Sequence, residues 1–445
     1  MTENRPRLFG TNGIRGIPND DLTPEFCMAI GKAIGTFFGN TIAIGSDNRL
    51  SNSMIMDSVI GGILSTGASV KNIGVLPTPA VQFYCKKNSI PGVIITASHN
   101  PPRFNGIKCI DRDGTELERT KEEKIEEIYY DNKFHIAQWQ HIGTEIADNS
   151  AAELYINGVM EKIDVNKIRE KKFRVVFDAG NGAAFRTTPE LLSRLGVSLV
   201  TLNANPDGLF TSRESEPKPE NLKYLIDLAK SGEFNLGIAH DGDADRAVFI
   251  DENGNFVDGD VTLSIFVKNY IRKGEKVVTP VSSSDSVDDI CREKGAEVIR
   301  TRVGAPIVSR TMIDQRARLG GEENGGIIYG DHQYCRDGAM TVGIILDIMA
   351  KKGKKLSEII GDIPEYHITR KTFPRNSDFS IIKERLITAF PGWEKDERDG
   401  IKLRKGHDWI LARPSGTEPI IRVFTHSREI ETSRKLSEEV KEIIS

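Results

Sequence analysis

At 445 residues the chain is too long for one ordinary core, and roughly three or four domains are expected. Its 38% hydrophobic and 28% charged content fits a soluble globular protein, while a net charge of −4 argues against the basic face that nonspecific nucleic-acid binding needs. No apolar run nears the ~18 residues of a membrane span, and "MTENRPRLFG" lacks the apolar core of a signal peptide. The cysteines (Cys27, Cys85, Cys109, Cys291 and Cys335) are scattered without a C-x-x-C pair, so neither a zinc site nor a disulfide framework is expected, and a reducing cytoplasm is the simplest compartment.

In chain order, "FGTNGIRG" at 9–16 packs three glycines around Arg15, a tight turn that could offer a guanidinium to a phosphate. "TIAIGSD" at 41–47 reads as a strand, 53–67 as a helix and "VKNIGV" as the next strand. "GVII" at 92–95 has no polar face, which marks a short buried strand. The following Pro101-Pro102 and Asn105-Gly106 break regular structure. Charged, poorly apolar residues at 148–151 suggest a boundary ahead of a helix containing "ELYINGVMEKI". "RVVFDAGNGAA" and "KVVTPVSSSD" repeat the texture of "GVIITASHN": an apolar strand ending in a loop of small polar residues. Alternating strands and helices of this kind indicate α/β layers with mostly parallel strands. "DENGN" at 251–255 reads as a hairpin turn, and from about 366 the chain changes to a small α+β module. The expected domains are 1–150, 151–252, 253–365 and 366–445.

"HDGDADR" at 240–246 is the strongest chemical signal. In extended backbone the period-two spacing of Asp241, Asp243 and Asp245 would point three carboxylates to one side. Two unit charges ~4 Å apart repel by roughly 4 kcal/mol at an effective dielectric of 20, so the cluster calls for a hard cation, with Mg²⁺ the best match. An EF-hand is disfavoured: Glu252 falls at position 12, but Arg246 stands where glycine is needed and the flanks read as strands. A D-x-D aspartyl nucleophile, as in phosphatases, stays open, as does a solvated acidic turn.

"RPSGTEPIIRV" at 413–423 offers Ser415, Thr417, free backbone N–H groups around Gly416, and the guanidinium forks of Arg413 and Arg422. These suit a phosphate dianion, although a plain hairpin loop has the same texture. "GGEENGG" at 320–326 sets Glu322 and Asn324 on a tight loop, good partners for sugar hydroxyls or merely an exposed turn. Ser98 lacks the G-x-S-x-G context of a hydrolase nucleophile. Neither G-x-G-x-x-G nor a P-loop occurs, so nucleotide binding has no support.

Taken together and in this order, "GTNGIRG", "TASHNPPRFNGIK", "DGDADR", "GEENGG" and "RPSGTEP" resemble the signatures of the α-D-phosphohexomutase superfamily along essentially the whole chain. The resemblance implies a heart-like arrangement of three similar α/β domains, with mixed, mostly parallel sheets, plus a C-terminal TBP-like α+β domain. It implies a phosphorylated Ser98 that donates to a hexose monophosphate, giving a bound 1,6-bisphosphate. Mg²⁺ would be held by Asp241, Asp243, Asp245 and the phosphoserine at Ser98, with a hexose 1,6-bisphosphate as activator and phosphoryl donor. Arg15, His99 and Lys108 match groups near the transferring phosphate. Arg246 and Glu322 match groups on the substrate, with Asn324 expected to bind beside them, while Arg413, Ser415, Gly416, Thr417 and Arg422 match the grip on the non-reacting phosphate. The sugar loop departs from the common G-E-x-S-G-H pattern, with Asn324 for the serine and Gly326 for the histidine. His332 in "GDHQYCRDG" is a candidate to supply the missing imidazole. This variant resembles the archaeal-type branch and implies a phosphosugar mutase for glucosamine phosphate, with phosphomannomutase or phosphoglucomutase activity as the alternative. The expected partner is a small phosphosugar, with no nucleic acid or membrane; a phosphosugar sensor without transfer activity is the non-enzymatic rival.

Overall fold

Apolar runs without a polar face become the central strands of a mixed sheet. The strands Ile42–Ser46 and Gly92–Ile95 are buried at every position, as strands covered on both sides must be. The computed structural model describes residues 5–10, 12–375, 377–415 and 419–444. Among these, the first sheet orders Ile14–Gly16, Asn105–Ile110, Gly92–Ile95, Ile42–Ser46, Val70–Val75 and Glu145–Ala147. Its last four strands are parallel, and Asn105–Ile110 runs antiparallel between Ile14–Gly16 and Gly92–Ile95. The expected helix at 53–67 is Asn52–Ser65. It packs backbone to backbone on the helix Pro24–Phe38: a Cβ at Gly62 would lie 2.2 Å from the Met28 carbonyl oxygen, and one at Gly31 would lie 2.3 Å from that of Val59. Thr23 caps Pro24–Phe38 by accepting a hydrogen bond from the Phe26 N–H at 3.2 Å.

The second sheet orders Phe256–Val257, Ala247–Ile250, Leu236–His240, Arg174–Asp178 and Ser198–Leu202. The last three are parallel, and "DENGN" is the turn from Ala247–Ile250 to Phe256–Val257. In both sheets, loops with chemistry leave the carboxyl ends of parallel strands: residues after Gly92–Ile95 carry Ser98, and those after Leu236–His240 carry the aspartates. That edge is where open α/β sheets bind ligands.

The chain divides into two compact units, Met1–Gly259 with Gly325–Ile359 and Asp260–Asn324 with Ile360–Ser445. The first unit holds both sheets above and regains the chain at Gly325, including the buried helix Gly338–Lys352. Asp337 caps that helix by accepting from the Met340 N–H at 2.9 Å. The second unit contains the parallel strands Glu297–Thr301, Lys276–Pro280 and Leu319–Gly321. It also contains a wholly antiparallel sheet ordered His367–Pro374, Ile420–Ser427, Asp408–Pro414, Ile401–Lys405 and Glu394–Asp396. The helices Phe379–Ala389 and Ile430–Ile444 cover that sheet, burying Ile382, Leu386, Ile410, Ile421, Val423 and Val440 in one cluster. The architecture is thus three α/β domains followed by an antiparallel-sheet domain, as expected. Among the described residues no helix is long and apolar enough to cross a membrane, and the five cysteines are buried and unpaired.

Candidate active site

Ser98 follows the strand Gly92–Ile95 and adopts φ 52°, the left-handed region that non-glycine residues rarely visit. It is buried at 1% exposure. Its N–H donates to Thr96 Oγ1 at 2.9 Å, and its carbonyl accepts from Arg49 at 2.8 Å and from the Ser215 hydroxyl at 3.2 Å. Its own hydroxyl donates to Asp241 Oδ2 at 3.3 Å and lies 3.4 Å from His99 Nδ1.

The aspartates sit on the connection between Leu236–His240 and Ala247–Ile250, an antiparallel pair with His240 opposite Ala247. The strand flanks exclude an EF-hand, as expected. The extended backbone expected from the period-two spacing is not what forms. The segment curls through turns with Ala244 at φ 55°, and convergence of the carboxylates comes from that curl. Among the described residues, one oxygen from each of Asp241, Asp243 and Asp245 lies within 4.8 Å of the others. All three side chains are buried. Gly242 permits the approach of the two loops, since a Cβ there would lie 2.8 Å from the Ser98 carbonyl oxygen and 2.4 Å from Ser215 Oγ.

Cations surround the cluster. Lys108 Nζ is 3.3 Å from Asp243 Oδ2, which also accepts from Thr78 Oγ1 at 2.7 Å. Arg246 Nε lies 3.8 Å from Asp241 and 3.7 Å from Asp245, and Arg336 pairs with Asp245 Oδ2. Burial, then the charges of Asp245 and Asp243, push the Asp241 carboxyl well above the usual carboxylate range. Burial pushes Asp243 the same way, but Lys108, the Thr78 hydroxyl and Arg336 outweigh it and hold that carboxyl below its ordinary value. Asp243 Oδ1 and Asp245 Oδ1 are buried without a hydrogen-bond partner, the latter with Arg246 Nε 3.7 Å away, an expensive state for anionic oxygens unless a cation meets them closely. Hard oxygens, close convergence and orphaned acceptors fit a divalent metal ion.

Arg15, on the strand Ile14–Gly16, donates to Asn100 Oδ1 at 2.7 Å. His99 Nδ1 lies 3.1 Å from Arg246 Nη2. The Arg246 charge, burial, Arg15 and Arg336 hold the imidazole well below its ordinary pKa, so it is neutral. The first unit therefore gathers Ser98, His99, Lys108, the aspartates and Arg246, with Arg15 joined through Asn100.

Glu322, Asn324, Arg413, Ser415 and Arg422 belong to the second unit. Glu322 is buried and accepts from the Gly304 N–H at 3.1 Å, while Asn324 is half-buried. Arg413 and Arg422 stand opposite each other across the paired strands Asp408–Pro414 and Ile420–Ser427. Like charges directly opposite are unfavourable, an arrangement suited to an anion. Arg413 Nε is 3.1 Å from Asp399 Oδ2, and the Ser415 N–H closes the hairpin onto the Ile420 carbonyl at 2.9 Å. Gly416 and Thr417 lie outside the described residues.

The expectation for His332 needs correction. Its ring is buried, stacks on Phe83 with centroids 4.6 Å apart, and lies 3.3 Å from Asp337 Oδ2. Enclosed by core side chains, it packs the first unit and does not face a ligand. Sequence reading overlooked Thr78 and Arg336, which reach the aspartates from distant segments, and Ser215, which reaches the Ser98 carbonyl. For Arg336 a signal existed, an Arg-Asp-Gly run entering the helix Gly338–Lys352, in the very segment read for its histidine.

Family models for phosphoglucomutase/phosphomannomutase α/β/α domains I, II and III match residues 6–135, 153–254 and 258–366, and the C-terminal domain of that family matches 378–443. The chain is 41% identical over 443 residues to a phosphoglucomutase/phosphomannomutase of Thermococcus kodakarensis, covering 97% of each chain. It is 37% identical over 451 residues to a phosphoglucosamine/phosphogalactosamine mutase of Sulfurisphaera tokodaii, covering 98% of this chain and 99% of the relative. The fold aligns with a crystal structure of a phosphoglucomutase/phosphomannomutase family protein from Burkholderia thailandensis at TM-score 0.87 and 24% identity, over 98% of this chain and 96% of that one. With all four domains matched in order, and relatives above 30% identity spanning the full length, the chain belongs to the phosphoglucomutase/phosphomannomutase family of α-D-phosphohexomutases.

Proposed function

We propose that the protein interconverts hexose 6-phosphate and hexose 1-phosphate through phosphorylated Ser98 and a bound 1,6-bisphosphate, with glucosamine phosphate as the sugar. The observation that carries this reading is the Ser98 hydroxyl 3.3 Å from Asp241, at a wall of three carboxylates ringed by Lys108, Arg246 and Arg336. In the forward step the Oγ–P bond of phosphoserine breaks as a sugar hydroxyl oxygen bonds phosphorus, and that hydroxyl gives up its proton. After the bisphosphate turns over, the opposite phosphoryl group returns to Ser98 and a proton goes back to the sugar oxygen. The phosphoryl group is conserved throughout, which separates a mutase from a phosphatase.

Arg15 would offset charge at the transferring group, and Lys108 would take up the sugar hydroxyl's proton and return it in the second half, with neutral His99 as a hydrogen-bond partner. Arg246, Glu322 and Asn324 would orient the sugar. Arg413, Ser415, Gly416, Thr417 and Arg422 would hold the phosphate that is not reacting, with either end of the substrate presented. Asp241, Asp243 and Asp245, with Ser98, would hold Mg²⁺, which when bound neutralises charge on the phosphoryl group. A hexose 1,6-bisphosphate would restore phosphate to Ser98 in chains that have lost it. Domain limits at 1–150, 151–252, 253–365 and 366–445, and a cytoplasmic location in keeping with unpaired buried cysteines, complete the reading.

Two assays test it. Ser98→Ala should lower mutase turnover by on the order of 10³-fold or more, and intact mass should show one phosphate gained by the wild type from a 1,6-bisphosphate and none by the variant. Undiminished turnover in Ser98→Ala, or net release of inorganic phosphate, would overturn the mutase reading. A second sugar reading, glucose or mannose phosphate, is favoured by the 41% identical relative. Comparing kcat/KM for glucosamine, glucose and mannose phosphates with one preparation decides between them.

A further inference from the structure

Ser98 is held in its left-handed backbone conformation by partners outside its own loop. The chief one is Arg49, a side chain with no exposure. A guanidinium has five N–H donors, and each of those on Arg49 has an acceptor. Nε donates to Asp47 Oδ2 at 3.1 Å, Nη1 to the carbonyls of Pro101 and Phe104 at 2.9 and 2.8 Å, and Nη2 to those of Ser98 and Asn100 at 2.8 and 2.7 Å. Asp47 is pinned in turn by the Arg49 N–H at 3.0 Å, Asn52 Nδ2 at 2.8 Å and Thr96 Oγ1 at 2.6 Å. Thr96 Oγ1 also accepts from the Ser98 N–H at 2.9 Å. Both backbone polar groups of Ser98 are thus tied to one buried Asp47–Arg49 pair, the carbonyl directly and the amide through Thr96.

We infer that Arg49 is a positioning residue for phosphoryl transfer, fixing the Ser98 backbone so that its hydroxyl faces the carboxylate cluster. This rests on the reading of Ser98 as the phosphoryl carrier. Arg49 touches neither Oγ nor the aspartates; it acts by gathering four carbonyls of residues 98–104 around one rigid fork. Lysine retains the charge but has three donors and no planar geometry. Arg49→Lys would therefore lose at least two of these five hydrogen bonds and free the loop to relax.

The test uses the full-length enzyme with Mg²⁺ and glucose 1,6-bisphosphate. Arg49→Lys is expected to lower kcat by on the order of 10²-fold, the usual cost of a ~1 Å misplacement. Its KM should stay within about threefold of wild type, because the groups proposed to grip the sugar and distal phosphate sit elsewhere. Single-turnover phosphorylation of Ser98, followed by intact mass, should slow by the same factor as kcat. Thr96→Val, which keeps the shape and removes the hydroxyl link, should move the same quantities in the same direction and serves if Arg49→Lys folds poorly. The inference fails if folded Arg49→Lys or Thr96→Val phosphorylates Ser98 at the wild-type rate, or if activity falls only in proportion to the unfolded fraction. Ser98→Ala keeps the two ideas separate. An inactive Ser98→Ala beside a wild-type-like Arg49→Lys removes the positioning role alone, whereas an active Ser98→Ala removes the carrier reading with it.

Discussion

Single side chains carry the chemistry, and the aspartate cluster shows how far sequence reaches at that scale. "DGDADR" was legible because three carboxylates within five residues are hard to satisfy without a cation. Their neutralising partners were not, since Thr78 lies 165 residues from Asp243 and Arg336 lies 91 from Asp245. Sequence spacing also suggested the wrong local geometry, an extended segment where the chain curls. The orphaned oxygens of Asp243 and Asp245 lead to a prediction that does not depend on turnover. Mg²⁺ at a hundred times its Kd should stabilise the wild type by about 2.7 kcal/mol, read as a rise in Tm. Asp243→Asn should lose most of that rise, and chelation should abolish mutase activity in the wild type. An equal Mg²⁺-dependent rise in Asp243→Asn would place the ion elsewhere.

At the scale of elements, apolar runs and turn residues marked several of the strands and a few of the helices. The run "GVII" forms the strand Gly92–Ile95 and 53–67 gives Asn52–Ser65, because burial on both faces of the strand, and a buried stripe through Ile55, Val59 and Ile63 on the helix, leave patterns that need no partner to read. What the pattern could not convey is how closely elements approach. Pro24–Phe38 and Asn52–Ser65 meet through Gly31 and Gly62, two small residues that look like helix weaknesses in isolation. Gly62→Ala should destabilise the protein by roughly 1–3 kcal/mol despite alanine's better helix propensity. A chemical denaturation midpoint unchanged or raised in Gly62→Ala would show that the two helices can part at little cost.

At the scale of the molecule, domain number and fold class were legible from alternating textures and family motifs. The route of the chain was not, because nothing in hydrophobic period tells a strand which unit it will join. In the second unit, His426 packs between Trp409 and Tyr366, with centroids 4.6 and 4.7 Å away, and lies 2.9 Å from the His407 carbonyl. Its Nε2 accepts from the Asp285 N–H at 3.3 Å. Burial pulls the imidazole pKa down from 6.5 to about 4, so between these values the unfolded chain binds a proton the folded one refuses. The stability owed to neutral His426 is therefore complete above pH 6.5 and drains away as pH falls towards 4, up to ~3 kcal/mol. In thermal melts the advantage of wild type over His426→Asn should narrow across that range. A difference independent of pH would mean that the ring is not kept neutral.

The first unit closes only when the chain returns to it at Gly325. On the ribosome, Asp241, Asp243 and Asp245 emerge long before Arg336 and the helix Gly338–Lys352 that follows it. The nascent acidic loop thus has Lys108 and Arg246 at hand but waits for its third cation, while Asp260–Asn324, destined for the other unit, comes out in between. Expression of residues 1–259 alone delivers both reacting loops yet omits one of the three cations around the aspartates, so a fragment that carries the whole cluster has to be stitched from two stretches of gene.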